Sequence, residues 1–215
     1  MKAVTHNIKH TLGLKQTEKS VRRALTTKPQ IVSFQEFDPQ DNEALVAVKK
    51  NYHILQPNGS RGLPVLLRKK YVRRIVDQQT LVMSKGSDGV RTTPATQVLF
   101  VNRYGTRIAV LNTHPVAHHE RPEYKKHFGI AINSIENWTQ DVSEAGYVPV
   151  LMMDGNGADK IRGLVSCWDE NHKLPTGPGG RTIDGVWTLK NAYDVHTFGS
   201  PSDHNGVVAY YHGLT

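Results

Sequence analysis

Short apolar runs, each closed by polar or turn-forming residues, recur along the whole chain and alternate with three stretches of helical spacing. Residues 2–8 alternate weakly and predict a first strand ending at Asn7. Ile31-Val32-Ser33-Phe34 predicts a short buried strand, with Gln35 and Glu36 emerging at its end. Further strands are expected over residues 52–55, 63–67, 71–82, 96–102 and 107–113, with Asn102-Arg103-Tyr104-Gly105 as a hairpin turn between the last two. Residues 148–153 are the most apolar run and give way to Asp154-Gly155-Asn156. Runs at 182–189, 192–197 and 205–212 complete the set.

Residues 17–27 place Val21, Ala24 and Leu25 at helical spacing, with Pro29 as the stop. Asp41 is expected to N-cap a helix through residue 50 that carries Leu45, Val46 and Val48. Pro122 opens a long helix to Glu144, with Phe128, Ile132, Ile135 and Trp138 on its apolar face. The order is strand, helix, strand, helix, several strands, helix, several strands. Two sheets packed face to face with helices outside suit it better than a parallel α/β fold. No internal repeat or low-complexity linker divides the chain, so one domain over residues 1–215 is expected.

A chain of 215 residues buries roughly 70% of its unfolded surface and needs no covalent staples. The lone Cys167 excludes an intramolecular disulfide and points to a reducing compartment. No apolar run approaches the roughly 20 residues of a membrane span, and residues 1–7 lack the apolar core of a signal peptide. The expectation is a cytoplasmic monomer without membrane insertion. Hydrophobic content of 38% is ordinary, whereas a net charge of +8 is not. Basic residues cluster at Arg61, Arg68-Lys69-Lys70, Arg73-Arg74 and Lys125-Lys126, which turns the reading toward a polyanion, nucleic acid ahead of small anions.

Candidate chemistry sits where the apolar runs stop. Asn7, Glu36, His114, Asp154, Asn156, Asp184, Asp203 and His204 all lie at or just past such ends. Side chains repeat every second residue along a strand, so Asp154 and Asn156 share one rim. Thr5-His6-Asn7, Gln35-Glu36, Asn112-Thr113-His114, Asp154-Gly155-Asn156, Ile183-Asp184 and Ser202-Asp203-His204 follow one another in this order. Each motif is common; the ordered set is specific. It resembles the endonuclease/exonuclease/phosphatase superfamily, whose best-known branch is the DNase I-like one. Gly62-Leu63-Pro64-Val65-Leu66-Leu67-Arg68 resembles the family's glycine-led strand ending in arginine. The resemblance spans residues 5–212.

The resemblance implies a four-layered α/β/β/α sandwich of two mixed, mainly antiparallel sheets with outer helices. It also implies a hydrolase of phosphate esters that uses Mg²⁺ or Mn²⁺. Glu36 would be the main metal ligand with Asn7 beside it, and Asp203 would reach the same metal or a second one. These are hard oxygen donors, and Mg²⁺ needs few because it keeps its waters. Asp154 would orient or deprotonate the attacking water, and Asn156 would hold a phosphate oxygen. His204, paired with Asp184, would stabilise the transition state or act as base; the choice between Asp154 and His204 stays open. His114 would contact the scissile phosphate, with protonation of the leaving oxygen as a second role. Lys9 and Arg68 would meet substrate phosphate. Lys9 stands where the exonuclease III-like branch carries an Asp, which weakens the case for a second metal and for abasic-site repair.

Three functions are compatible with this set. The first is a metal-dependent phosphodiesterase on nucleic acid, a DNA endonuclease of little sequence preference ahead of an RNA enzyme. The second is a phosphatase or phosphodiesterase on lipid or small phosphate esters, and the third an inactive binding protein of the same fold. The remaining features read as structure. His118-His119 and His127 lack a zinc-ligand pattern and are assigned to a solvated loop and helix face. Gly177-Pro178-Gly179-Gly180 reads as a flexible turn, Trp138, Trp168 and Trp187 as core, and Arg22-Arg23 as a solvated helix face.

Overall fold

A computed structural model describes residues 1–60, 62–87, 89–117, 121–158, 160–168 and 173–213. Arg61, His118 and His119 lie outside the described residues. The strands are β1 (Lys2–Asn7), β2 (Ile31–Gln35), β3 (Tyr52–Leu55), β4 (Val65–Arg68), β5 (Val72–Ser84), β6 (Thr93–Asn102), β7 (Arg107–Thr113), β8 (Val148–Asp154), β9 (Val165–Ser166), β10 (Asp184–Thr188), β11 (Asp194–Phe198) and β12 (Gly206–Tyr210). The helices are α1 (Leu14–Leu25), α2 (Glu43–Val46) and α3 (Pro122–Glu144). One sheet runs β11-β12-β1-β2-β4-β3 and the other β5-β6-β7-β8-β10-β9.

Each sheet is antiparallel except for one central parallel pair, β1 with β2 and β7 with β8. The reason is local. Parallel neighbours need a crossover rather than a tight turn, and α1 and α3 supply it. The continuous apolar runs of β2 and β8 follow, because a strand between a helix layer and a second sheet is buried on both faces.

Three apolar layers hold the four structural layers together. Phe100, Val110, Val150, Met152 and Leu67 fill the space between the sheets. On the outer face of the second sheet, Ala131, Ile135 and Trp138 of α3 pack on Leu111, Leu151 and Met153. On the first sheet, Val21 and Ala24 of α1 and Leu45 of α2 meet Val4, Phe34 and Val208. The arrangement is the expected α/β/β/α sandwich. Trp138, Trp168 and Trp187 are buried, as expected. Among the described residues no helix is long and apolar enough to cross a membrane.

Several local readings are corrected. Asp41 does not cap a helix through residue 50: Pro39 opens a 3₁₀ turn over Pro39–Asp41, and Asp38 caps it by accepting from the Gln40 amide at 2.9 Å. Asp41 is buried and accepts from Thr17 Oγ1 at 2.6 Å, which ties α1 to that turn, while α2 covers only four residues. His127 is not on a solvated face; it is buried between Ser84 and Ser87, with each ring nitrogen 2.9 Å from a serine hydroxyl. Arg23 is exposed yet donates to the Gly199 carbonyl at 2.6 Å, bracing the loop that leads to His204. Pro178–Gly180 is a turn, as expected, with Gly179 in left-handed backbone at φ 70°. Strand β9 went unread because two residues carry no period.

One buried group gives the fold an acid liability. His6 on β1 is fully buried against the Phe198 ring at 5.4 Å, and neither ring nitrogen has a partner among the described residues. Burial, reinforced by the charge of His204, lowers His6 from 6.5 to about 3. The unfolded chain protonates this imidazole near pH 6.5 and the folded chain does not, so stability present above that pH is lost as pH falls toward 3. The slope from this group is about 1.4 kcal/mol per pH unit. His6→Phe keeps a ring against Phe198 and should flatten the acid limb of stability in urea unfolding between pH 4 and 7. An unchanged limb would remove His6 from the account.

Candidate active site

The carboxyl ends of the two parallel pairs meet at one rim. Asn7 ends β1 beside Gln35 of β2, and Glu36 follows at once. Thr113 of β7 pairs with Met153 of β8, so His114 and Asp154 stand one residue beyond. Asp184 opens β10 directly opposite Asp154, and His204 arrives from the loop before β12. Glu36 and Asn156 adopt left-handed backbone, with φ of 52° and 45°. Non-glycine residues seldom hold that conformation unless their surroundings impose it. At Glu36 the surroundings include Gly62, where an added Cβ would collide with the Phe37 carbonyl oxygen.

Asn7 knits the cluster together. Its Nδ2 donates to Glu36 Oε1 at 3.0 Å and to Asp154 Oδ2 at 2.9 Å. His114 stands between the same two acids, with Nδ1 3.7 Å from Glu36 Oε1 and Nε2 3.5 Å from Asp154 Oδ2. His204 Nδ1 is 2.9 Å from Asp184 Oδ2 and 3.7 Å from Asp154 Oδ2. Asn156 donates its side-chain amide to the Pro115 carbonyl at 3.0 Å and its backbone amide to Asp154 Oδ1 at 3.1 Å.

The electrostatics follow from these contacts. Burial would raise the Glu36 carboxyl, but hydrogen bonds from Asn7 and His10 and the charges of His114 and His10 together hold it below its ordinary value. Burial pushes Asp184 up, aided by the opposed Asp154 and resisted by the His204 hydrogen bond. His204 itself rises: burial opposes its charge, but the Asp184 bond and the negative charges of Asp184, Asp154 and Asp203 prevail. The two groups hold one proton between them, and the surrounding anions favour it on the imidazole.

The donor set fits a hard divalent cation. Asn7 Oδ1 is buried and has no hydrogen-bond partner among the described residues, and it belongs to an amide bonded to two carboxylates. An orphaned carbonyl oxygen beside carboxylates is what Mg²⁺ or Mn²⁺ accepts. Asp154, Asp184 and His204 also bring donor atoms within 4.8 Å of one another. There, however, the His204 Nδ1 is already bonded to Asp184, which suits a proton-holding pair better than a ligand set.

Not every expected residue reaches the rim. Asn7, Glu36, His114, Asp154, Asn156, Asp184 and His204 converge. Asp203 does not join the carboxylate cluster: it is exposed and its Oδ2 lies 3.0 Å from Lys9 Nζ, so these two residues answer each other at the margin. Arg68 is corrected outright. Strand β4 is antiparallel to β2 and pairs Leu67 with Ile31, which puts Arg68 at the pole opposite Glu36, donating to the Lys28 carbonyl at 3.2 Å. Other participants went unread. His10 Nδ1 lies 3.0 Å from Glu36 Oε2. Thr176 Oγ1 accepts from the Asp184 amide at 2.9 Å. A cleft of about 750 Å³ opens before the cluster, with Arg91 and Arg181 among its lining and Phe37, Leu63 and Val116 as apolar wall. Its spacing to Asn7 is the only sequence signal for His10; Thr176 and the two arginines have none.

No protein-family model matches the chain, and no curated protein matches it by sequence. Solved structures do match. The endonuclease/exonuclease/phosphatase from Bacteroides vulgatus superposes with a TM-score of 0.74 at 16% identity, covering 97% of both chains. The fold is that of the endonuclease/exonuclease/phosphatase proteins. A mannosyl-6-phosphatase from Bacteroides thetaiotaomicron matches at TM-score 0.71 and 14% identity, over 97% of this chain and 98% of that one. D. rerio TDP2, complexed with single strand DNA product, matches at TM-score 0.73 and 14% identity over 97% of each.

Within this endonuclease/exonuclease/phosphatase fold the Asp184–His204 pair can be tested directly. Asp184→Asn withdraws the two largest upward influences on the imidazole and leaves burial opposed by the charges of Asp154 and Asp203 alone. In metal-free protein, the NMR titration of His204 should therefore move to lower pH than in wild type. An unmoved titration would show that Asp184 does not govern the imidazole.

Proposed function

We propose that the protein is a metal-dependent phosphodiesterase that hydrolyses nucleic acid backbone, DNA ahead of RNA, as an endonuclease of little sequence preference. The observation that carries the reading is the convergence of Asn7, Glu36, His114, Asp154 and the Asp184–His204 pair on one rim of an open cleft. Glu36 and Asn7 would hold the divalent ion, which when bound supplies charge neutralisation at the phosphate. Among the described residues Asp154 accepts hydrogen bonds from Asn7 and the Asn156 backbone, which supports a role for its carboxylate in orienting the attacking water and taking its proton. His204, kept cationic by Asp184, stabilises negative charge growing on the phosphate oxygens. Asn156 steadies a phosphate oxygen, and His114 delivers a proton to the leaving oxygen.

The fold alone does not choose a substrate, since a DNA-bound protein and a sugar phosphatase share it. The net charge of +8 supports the polyanion. The apolar wall of Phe37, Leu63 and Val116 favours a second reading, a phosphatase on small or lipid phosphate esters.

Purified wild type should nick supercoiled plasmid with Mg²⁺ or Mn²⁺ and stop in EDTA, and His204→Ala should abolish nicking. Asp184→Asn should retain the fold and lose activity on the order of 10⁴-fold, as the equivalent change does in a serine-protease triad. Glu36→Ala should raise the metal concentration needed for any remaining turnover; full turnover at low Mg²⁺ would remove it as a ligand. Folded protein that leaves plasmid intact in every metal but hydrolyses p-nitrophenyl phosphate would establish the second reading instead.

A further inference from the structure

The densest group of cations lies far from the cleft. Arg68 at the end of β4 leads through Lys69 and Lys70 into Arg73 and Arg74 at the start of β5, so the chain crosses there from one sheet to the other. The Lys69 amide donates to the Asn51 carbonyl at 2.9 Å, and the Arg68 guanidinium to that of Lys28. The Arg103 amide donates to the Tyr71 carbonyl at 2.9 Å, which brings the β6–β7 turn alongside. Lys28, Lys69, Lys70 and Arg103 are exposed. Strand β7 spans seven residues between this pole and the rim, a separation of roughly 20 Å.

Among the described residues, the ion pairs made by lysines and arginines lie elsewhere, at Lys9–Asp203, Glu18–Arg22 and Glu136–Arg162, and none involves these cations. Like charges left together repel and cost stability. Lys2 beside them is lowered by burial and then by the charge of Arg68. The pole also presents an aromatic ring. Tyr104, in the β6–β7 turn next to Arg103, is 69% exposed, more than any other large apolar side chain described. Its position is built rather than accidental: buried Asn102 accepts from the Tyr104 and Thr106 amides at 2.9 Å and donates to the Tyr71 hydroxyl at 3.2 Å.

We propose that this pole is a second, non-catalytic binding site for single-stranded nucleic acid. Lys69, Lys70 and Arg103 hold phosphates, and a base stacks on Tyr104. Cations interleaved with an exposed ring match a single strand, which offers phosphates and unstacked faces together, better than a duplex, whose bases are hidden. A strand held here would lie beyond reach of the catalytic groups, so the pole tethers substrate while the cleft cuts. The choice of ligand rests on the nucleic-acid reading of the cleft, but binding is measured without hydrolysis, so either idea can fail alone.

The test is fluorescence anisotropy of a labelled 20-nucleotide oligo(dT) with the full chain in EDTA, across a salt series. Tyr104→Ala should weaken binding about tenfold and Tyr104→Phe should restore it, because stacking needs the ring and not the hydroxyl. Lys69→Ala with Lys70→Ala should flatten the log–log salt slope by about 1.4, near 0.7 per phosphate contact on a single strand. All three side chains are exposed, and thermal melts confirm that each variant is folded. Affinity and slope equal to wild type in both variants would overturn the site. So would Tyr104→Phe as weak as Tyr104→Ala, or a loss confined to phosphatidylserine vesicles with oligo(dT) unaffected. Oligo(dT) binding that depends on the pole in a protein with no nuclease activity would uphold the site and reject the reading of the cleft.

Discussion

The candidate site depends on a buried amide bridge between the two sheets. Gln35 Nε2 donates to Asn112 Oδ1 at 2.7 Å, and Asn112 Nδ2 donates to the Phe34 and Pro64 carbonyls at 2.8 and 3.2 Å. Both side chains are fully buried, and Thr5 and Ser33 extend the network on the first sheet. Apolar contacts between sheets are non-directional and would tolerate sliding; these bonds do not. A lost partner here strands a buried polar group at a cost of about 1–3 kcal/mol. Glu36 follows Gln35, and His114 lies two residues past Asn112, so the bridge sets the distance between the two halves of the rim.

Above that bridge, groups that would destabilise an ordinary sheet are concentrated in one place. Two carboxylates face each other across β8 and β10, an arrangement disfavoured between like charges. His204 offsets it by giving Asp184 a cationic partner, and Asn7 offsets it by donating to Asp154. Glu36 and Asn156 add left-handed backbone at the same rim. The three apolar layers hold these groups in position.

The charge of the molecule is divided in space as well as in excess. Arg91 and Arg181 line the cleft, whereas the longest basic run sits at the far pole. A single summed charge of +8 hides that division. The Lys9–Asp203 pair at the cleft margin neutralises one cation that the sequence offers to phosphate.

The sequence by itself determined the strands apart from β9, the two crossover helices and the ordered polar residues at their ends, because periodicity and apolar runs are local signals. It also carried Asn7, Glu36, His114, Asp154, Asn156, Asp184 and His204, since each lies at or beside one end of an apolar run. Only the tertiary structure decided which pole each strand end faces. Arg68 ends a strand as surely as Glu36 follows one, but β4 runs opposite to β2. Burial of His127 and Asp41 likewise came from partners, Ser84 and Thr17, that lie 43 and 24 residues away. Strand direction and long-range partners belong to pairing, and pairing is a property of the folded sheets rather than of any short stretch of chain.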